Sequence, residues 1–307
     1  LLALVACLVT LRAYPIPLEW IFRRARRSVD ATAFLGSARA LREPSIGLTP
    51  VLALVVGVSV AVSSGVLLSA LQGGVAEAAR AQIGADVRIT GGSFTRAQLD
   101  QVRAIDGVGA ATGISGAESA SLDVNGLKRA TSVFVVDAAD LRTVQGDGPG
   151  MLPPGVSLAA GAGPMPIVVA AATAQLIDGS EDVRVNAADA EVVGVSTGPT
   201  PIGARENWVA IDASYAEDVL GRDPSDRTLL VRLDAGVSAA AVGAALQDVL
   251  GGGIRIDTPA QVRAGIESGP AVQGVRYALL ASVAVAALLS ALAIVMTLTL
   301  AAGARGR

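Results

Sequence analysis

The chain has 307 residues and no histidine at all. That excludes most zinc sites and every nucleophile that depends on an imidazole base. One cysteine, Cys7, rules out an intramolecular disulfide, so any exported domain must rest on its own core. The single lysine, Lys128, lies in no Gly-x-x-x-x-Gly-Lys-Ser/Thr run, so this chain holds no phosphate-binding loop of its own. Charge is missing over two long intervals, Glu43 to Glu77 and Arg276 to Arg305. Inside them lie Leu48–Leu71 and Ala278–Ala302, apolar blocks of about 24 residues each. At 1.5 Å per helical residue such a block reaches roughly 36 Å, enough to cross a hydrocarbon core of about 30 Å with some tilt. Uncharged spans also argue against an ion or proton path through them.

What is present fits those absences. Hydrophobic residues make up 52% of the chain, and much of that mass is concentrated in the uncharged blocks instead of being spread at helix or strand periods. A shorter apolar block, Leu1–Leu11, reads as the end of a truncated spanning helix. Seven arginines (Arg12, Arg23, Arg24, Arg26, Arg27, Arg39 and Arg42) fall between that block and Gly47, and Arg305 and Arg307 follow the last one. From Gln72 to Arg276 there are 15 basic and 24 acidic residues. Short basic flanks mark the cytoplasmic side, so the acidic segment is expected outside, in a multi-pass protein of the cell membrane.

The expected organisation is a truncated helix over 1–12, a cytoplasmic basic linker with an amphipathic interfacial helix over 13–47, and a span over 48–72. An extracytoplasmic α+β domain follows over 73–275, then a span over 276–303 and the start of a cytoplasmic loop over 304–307. The first span continues outward with Leu68, Leu71, Val75, Ala79 and Ile83 at helical spacing, and Gly73-Gly74 marks a flexure in that stalk. In the domain, Thr95 and Gln98 form a capping-box pattern, as do Thr258 and Gln261, and Asn125-Gly126 between two apolar runs signals a hairpin. Strand–helix–strand order near both ends (85–114 and 228–256) suggests split units enclosing other strands. An inserted subdomain over about 138–226 is marked by shorter, Gly- and Pro-rich elements.

Chemical motifs are few. Gly194-Val195-Ser196-Thr197-Gly198 matches the nucleophile-elbow pattern, but Pro199 and Pro201 follow where a helix is required. Leu4-Val5-Ala6-Cys7 has the look of a lipidation site, but the expected reading of Cys7 is a thiol buried in the membrane segment. Arg23-Arg24-Ala25-Arg26-Arg27 reads as a juxtamembrane cluster facing lipid headgroups, not as a nucleic-acid patch. No catalytic, cofactor-binding or metal-binding residue is assigned.

The order of parts resembles the FtsX/MacB-like ABC transporter permeases. The resemblance rests on Gly36-Ser-Ala-Arg-Ala-Leu-Arg-Glu-Pro before a span, Gln82-Ile-Gly-Ala-Asp-Val-Arg-Ile after it, and Leu229-Leu-Val-Arg-Leu near the domain's end. The final span leading to Ala304-Arg-Gly-Arg also carries it, and the similarity runs from about Ala33 to Arg307. It implies a membrane permease subunit without enzymatic activity and a separate cytoplasmic ATPase that binds ATP. It further implies a dimer of permease modules and an extracytoplasmic lipid, lipoprotein or peptide cargo, or a mechanical signal instead of transport. Leu1–Leu11 would then close one module and the rest open a second. Arg39, Arg42, Arg305 and Arg307 would couple to the ATPase, with flexures at Gly73, Gly74, Gly269 and Pro270. A membrane receptor with an outer ligand domain is the alternative.

Overall fold

The computed structural model describes residues 44–305, apart from 147, 149, 160, 162 and 181. Helix α1 (Pro44–Ile83) opens on a proline, where a missing N–H costs nothing. It stops at Gly84, whose φ of +75° lets its N–H reach the Arg80 carbonyl at 2.7 Å. A Cβ there would come within 2.3 Å of Pro201 Cγ, so the stop is reserved for glycine by packing as well as by backbone.

Helix α8 (Pro270–Arg305) and α1 contain the segments Pro270–Met296 and Val55–Ile83, both long and apolar enough to cross a membrane. Val62 and Leu288 are 60% and 67% exposed, so these are not the core helices of a water-soluble fold. Within this apolar unit the helices meet at small residues. A Cβ on Gly57 would lie 2.3 Å from Ser290 Oγ, which itself bonds the Ala286 carbonyl at 2.8 Å.

The second compact unit, Gly73–Ser268, holds the α+β fold. Its first lobe takes strands from both ends of the domain: β1 (Val87–Phe94), β2 (Val108–Ser115), β9 (Asp226–Leu233) and β10 (Arg255–Asp257). They pair antiparallel in the order β10-β1-β9-β2. Helices α2 (Arg96–Arg103) and α6 (Ala239–Leu250) cover one face, pressing Leu99, Val102, Val242, Leu246 and Leu250 onto Ile89, Ala111, Leu229 and Val231. The three- and four-residue spacings of these side chains are what place them on one stripe.

The remaining strands close on themselves. β3 (Glu118–Val124) and β4 (Leu127–Val136) form the hairpin at Asn125-Gly126, whose φ values of 51° and 85° are those of a type I′ turn. Four more strands complete a ring: β5 (Met165–Ala170), β6 (Val183–Val185), β7 (Ala188–Ser196) and β8 (Trp208–Asp212). The order β3-β4-β8-β5-β7-β6 returns to β3, a six-stranded barrel with parallel β4–β8 and β5–β7 pairs. Leu122, Val133, Val135, Ile167, Val169, Val209 and Ile211 share one buried cluster. Alternate residues Phe134, Val136, Val168, Ala170, Trp208 and Ala210 pack in another with Ile114 and Leu230 of the first lobe. Helix α3 (Ala138–Gln145) seals that second cluster with Leu141 and Val144. Alternation along β4 and β8 therefore serves two cores at once.

Helices α4 (Ala171–Ile177), α5 (Ala216–Leu220) and α7 (Pro259–Glu267) complete the unit. The expected inserted segment begins earlier than 138, because the β3–β4 hairpin supplies two barrel strands. The last apolar helix starts at Pro270 instead of 276.

Candidate functional site

The chain enters the domain on β1 and leaves it on β10, and these two strands are antiparallel neighbours, with Arg88 opposite Asp257. Their side chains join the ends. Arg88 donates from one terminal nitrogen to the Gln82 carbonyl at 3.0 Å and the Pro201 carbonyl at 3.3 Å, and from the other to Asp257 Oδ2 at 3.0 Å. Arg255 Nε donates to Asp257 Oδ1 at 2.9 Å. The last turn of α1, the loop at Pro201, the incoming strand and the outgoing strand thus share one node. Burial opposes ionisation of Asp257, but the hydrogen bonds from Arg88 and Arg255 outweigh it and hold the carboxyl below its ordinary value. The outgoing strand leads at once to Thr258, which caps α7 in a capping box with Gln261.

Of the residues expected at flexures, two fall inside a helix and two at the junction of two helices. Helix α1 runs through Gly73 and Gly74 without a break, and a side chain at either would meet open space. Gly269 lies in the break between α7 and α8, its carbonyl accepting from the Gln273 N–H at 3.0 Å, and Pro270 opens α8. Arg305 is the last residue of α8. Arg39, Arg42 and Arg307 lie outside the described residues, as do the truncated helix expected over 1–12 and the part of the 13–47 linker before Pro44. Ser196 of the elbow-like pattern ends β7, with no helix after it.

Two clefts in the same unit have polar walls that sequence reasoning missed, because their residues come from distant segments. One, of about 470 Å³, is lined by Arg96, Arg103, Asp137, Asp140, Asp223 and Asp226 among others. Arg103 bonds Asp140 at 2.5 Å. Asp226 lies flat against β2: a Cβ on Gly113 would come within 1.9 Å of its Oδ2. Burial and the neighbouring Asp223 raise its pKa to about 6, with Arg96 pulling the other way. The second cleft, of about 500 Å³, contains Arg88, Arg205 and Arg227. Among the described residues no group of three His, Cys, Asp or Glu side chains is placed to hold a metal ion.

The state of Asp226 makes a pH prediction. Its folded pKa lies above the unfolded value of 3.8, so the stability it contributes is complete below about pH 4 and is lost as pH rises through 6. Two units correspond to about 3 kcal/mol without screening, and for a partly exposed group about 1 kcal/mol is expected. Asp226→Asn should therefore stabilise the protein by about 1 kcal/mol at pH 7.5 and by nearly nothing at pH 4. Urea unfolding at both pH values checks this; an equal difference at both would show that the carboxyl is not the cause.

Comparisons with known proteins give a likeness of shape at low identity. No protein-family model matches the sequence, and no curated protein matches it either. Among solved structures, the periplasmic region of MacB from Actinobacillus actinomycetemcomitans is similar at 12% identity and a TM-score of 0.44, with 62% of this chain and 96% of that one covered. The extracellular domain of the noncanonic ABC-type transporter YknZ from Gram-positive bacteria is also similar, at 12% identity and a TM-score of 0.37. That match covers 54% of this chain and 90% of that one.

Proposed function

We propose that the chain is a permease-type subunit of an ABC transporter, which couples ATP hydrolysis by a separate cytoplasmic ATPase to movement of an extracytoplasmic domain. The observation that carries the reading is the connection of the domain to its two apolar helices. Incoming and outgoing strands lie side by side and are pinned by Arg88 and Asp257, and Arg88 also holds the Gln82 carbonyl in the last turn of α1, so both chain ends of the domain are fixed at one place. The sequence resemblance from Ala33 onward supports the same reading, and the basic flanks support a cytoplasmic side at Arg39, Arg42, Arg305 and Arg307. The domain outside would act on a lipid, lipoprotein or peptide, or relay a mechanical signal. A dimer of such modules in the lipid bilayer is the expected assembly. Gly73, Gly74, Gly269 and Pro270 are the proposed flexures.

Purification from native membranes in mild detergent tests the proposal. A co-purifying subunit with a phosphate-binding loop and ATP turnover is expected. Loss of that partner, in a preparation that keeps other membrane complexes intact, would favour a receptor with an outer ligand domain. Replacing Arg39 and Arg42 with Glu should weaken association with the ATPase by at least about tenfold, the equivalent of 1.4 kcal/mol of interface. Unchanged co-purification and turnover would remove these arginines from the coupling surface.

A further inference from the structure

We propose that the cleft lined by Arg88, Arg205 and Arg227 is a binding site for a phosphate-bearing group. The domain as a whole is acidic, with 15 basic and 24 acidic residues from Gln72 to Arg276, so a cavity wall of three guanidinium groups runs against its average. Many of its other arginines are neutralised: Arg103 by Asp100 and Asp140, Arg184 by Asp182 and Asp189, Arg222 by Glu118, and Arg263 by Glu267. Arg205 and Arg227 make no ion pair among the described residues, yet they line the same cleft of about 500 Å³. Glu118, the one acidic residue of that wall, already bonds Arg222 at 2.5 Å.

The three cations differ in how they are held. Arg88 is fixed by its bonds to two carbonyls and to Asp257, while its Nε is buried without a partner. Arg205 lies over the Phe134 ring, 5.7 Å from its centre, which limits the motion of the guanidinium while leaving its N–H groups unspent. Arg227 projects from β9 beside Gly116, where a Cβ would come within 3.0 Å of its Cγ. Two unspent guanidinium forks, beside an Arg88 whose charge is already met by Asp257, favour a group of more than one negative charge with several acceptor oxygens, which describes phosphate better than a lone carboxylate. The site includes Arg88 and Thr90, so its occupant would touch β1, the strand by which the chain enters the domain. This inference stands on the cleft alone and does not require the transport reading.

The test titrates inorganic phosphate into the full chain in a phosphate-free maltoside detergent, read by calorimetry at low ionic strength. Saturable binding is expected, weakened at least tenfold in the Arg205→Gln, Arg227→Gln double variant and unchanged in Arg96→Gln, which alters the other cleft. Arg205 and Arg227 are exposed, and matching thermal melts would confirm that the double variant is folded. Absence of saturable binding, or equal affinity in the double variant, overturns the proposal. Repeating the titration in nanodiscs distinguishes the two sources of the group. Suppression in phosphatidylglycerol but not in phosphatidylcholine would assign the site to a lipid headgroup, and equal affinity in both to a soluble phosphate ester.

Discussion

Trp208→Ala is expected to destabilise the protein by about 4 kcal/mol, in the range for removing a large aromatic ring from a packed interior. Trp208 is 2% exposed and begins β8, the strand whose parallel pairing with β4 closes the barrel. Its cluster also contains Phe134 from the barrel, Leu141 from α3, Leu152 from the following loop, and Ile114 and Leu230 from the split lobe. One indole thus packs where the two lobes meet, and an empty space there cannot be refilled by one side chain shifting. For a domain of this size the loss corresponds to a fall in midpoint of roughly 10 °C. Leu127→Ala is the matched control, because Leu127 is 67% exposed on the hairpin and should change stability by less than about 0.5 kcal/mol. Thermal and urea unfolding of the full chain, followed by circular dichroism, measure both. A loss below about 1.5 kcal/mol for Trp208→Ala would mean that the lobes are not held together by this cluster.

The contrast between those two positions shows which parts of the fold can be read from the chain. Features decided within a few residues were legible. Thr95 and Thr258 do form capping boxes with Gln98 and Gln261, and Asn125-Gly126 does turn a hairpin. The long apolar helices were legible too, since length and lack of charge are local properties. Helices α3 and α4 were missed because each is short: α3 buries Leu141 and Val144, and α4 buries Thr173 and Ile177, too little for a clear period. The three-residue strand β6 alternates as Val183-Arg184-Val185, over too short a run to signal a strand. Closure of the barrel was illegible for another reason. It depends on which of several apolar strands pair, and β4 presents apolar residues to both cores, so its sequence names no single partner. The node at Arg88 was hidden for the same reason, since Asp257 is 169 residues away.

That node supplies the second large effect. Asp257→Ala is expected to cost about 2–3 kcal/mol at pH 7, somewhat below the range for breaking a fully buried ion pair. The side chains of Arg88 and Asp257 are 13% and 12% exposed, so removing the carboxylate strands a nearly buried guanidinium. Arg255, at 78% exposed, adds little to the total. The direction with pH follows from the depressed pKa of Asp257. Its stabilisation is present above the ordinary carboxylate value of 3.8 and is lost as pH falls below it, so the penalty of the substitution should shrink toward pH 3. Asp257→Asn retains an acceptor for Arg88 without the charge and should fall between the parent and the alanine variant. Because the pair clamps β10 to β1, the damage should also be local. Amide exchange at Ile89 and Ile256, which face each other across that ladder, should quicken more than at Val209 and Ile211 in the barrel. If Asp257→Ala unfolds within 0.5 kcal/mol of the parent, or if exchange rises equally in both lobes, the node does not hold the two ends of the domain together. A large local loss with the barrel intact would mean that the two chain ends of the domain can be released from each other without unfolding the barrel.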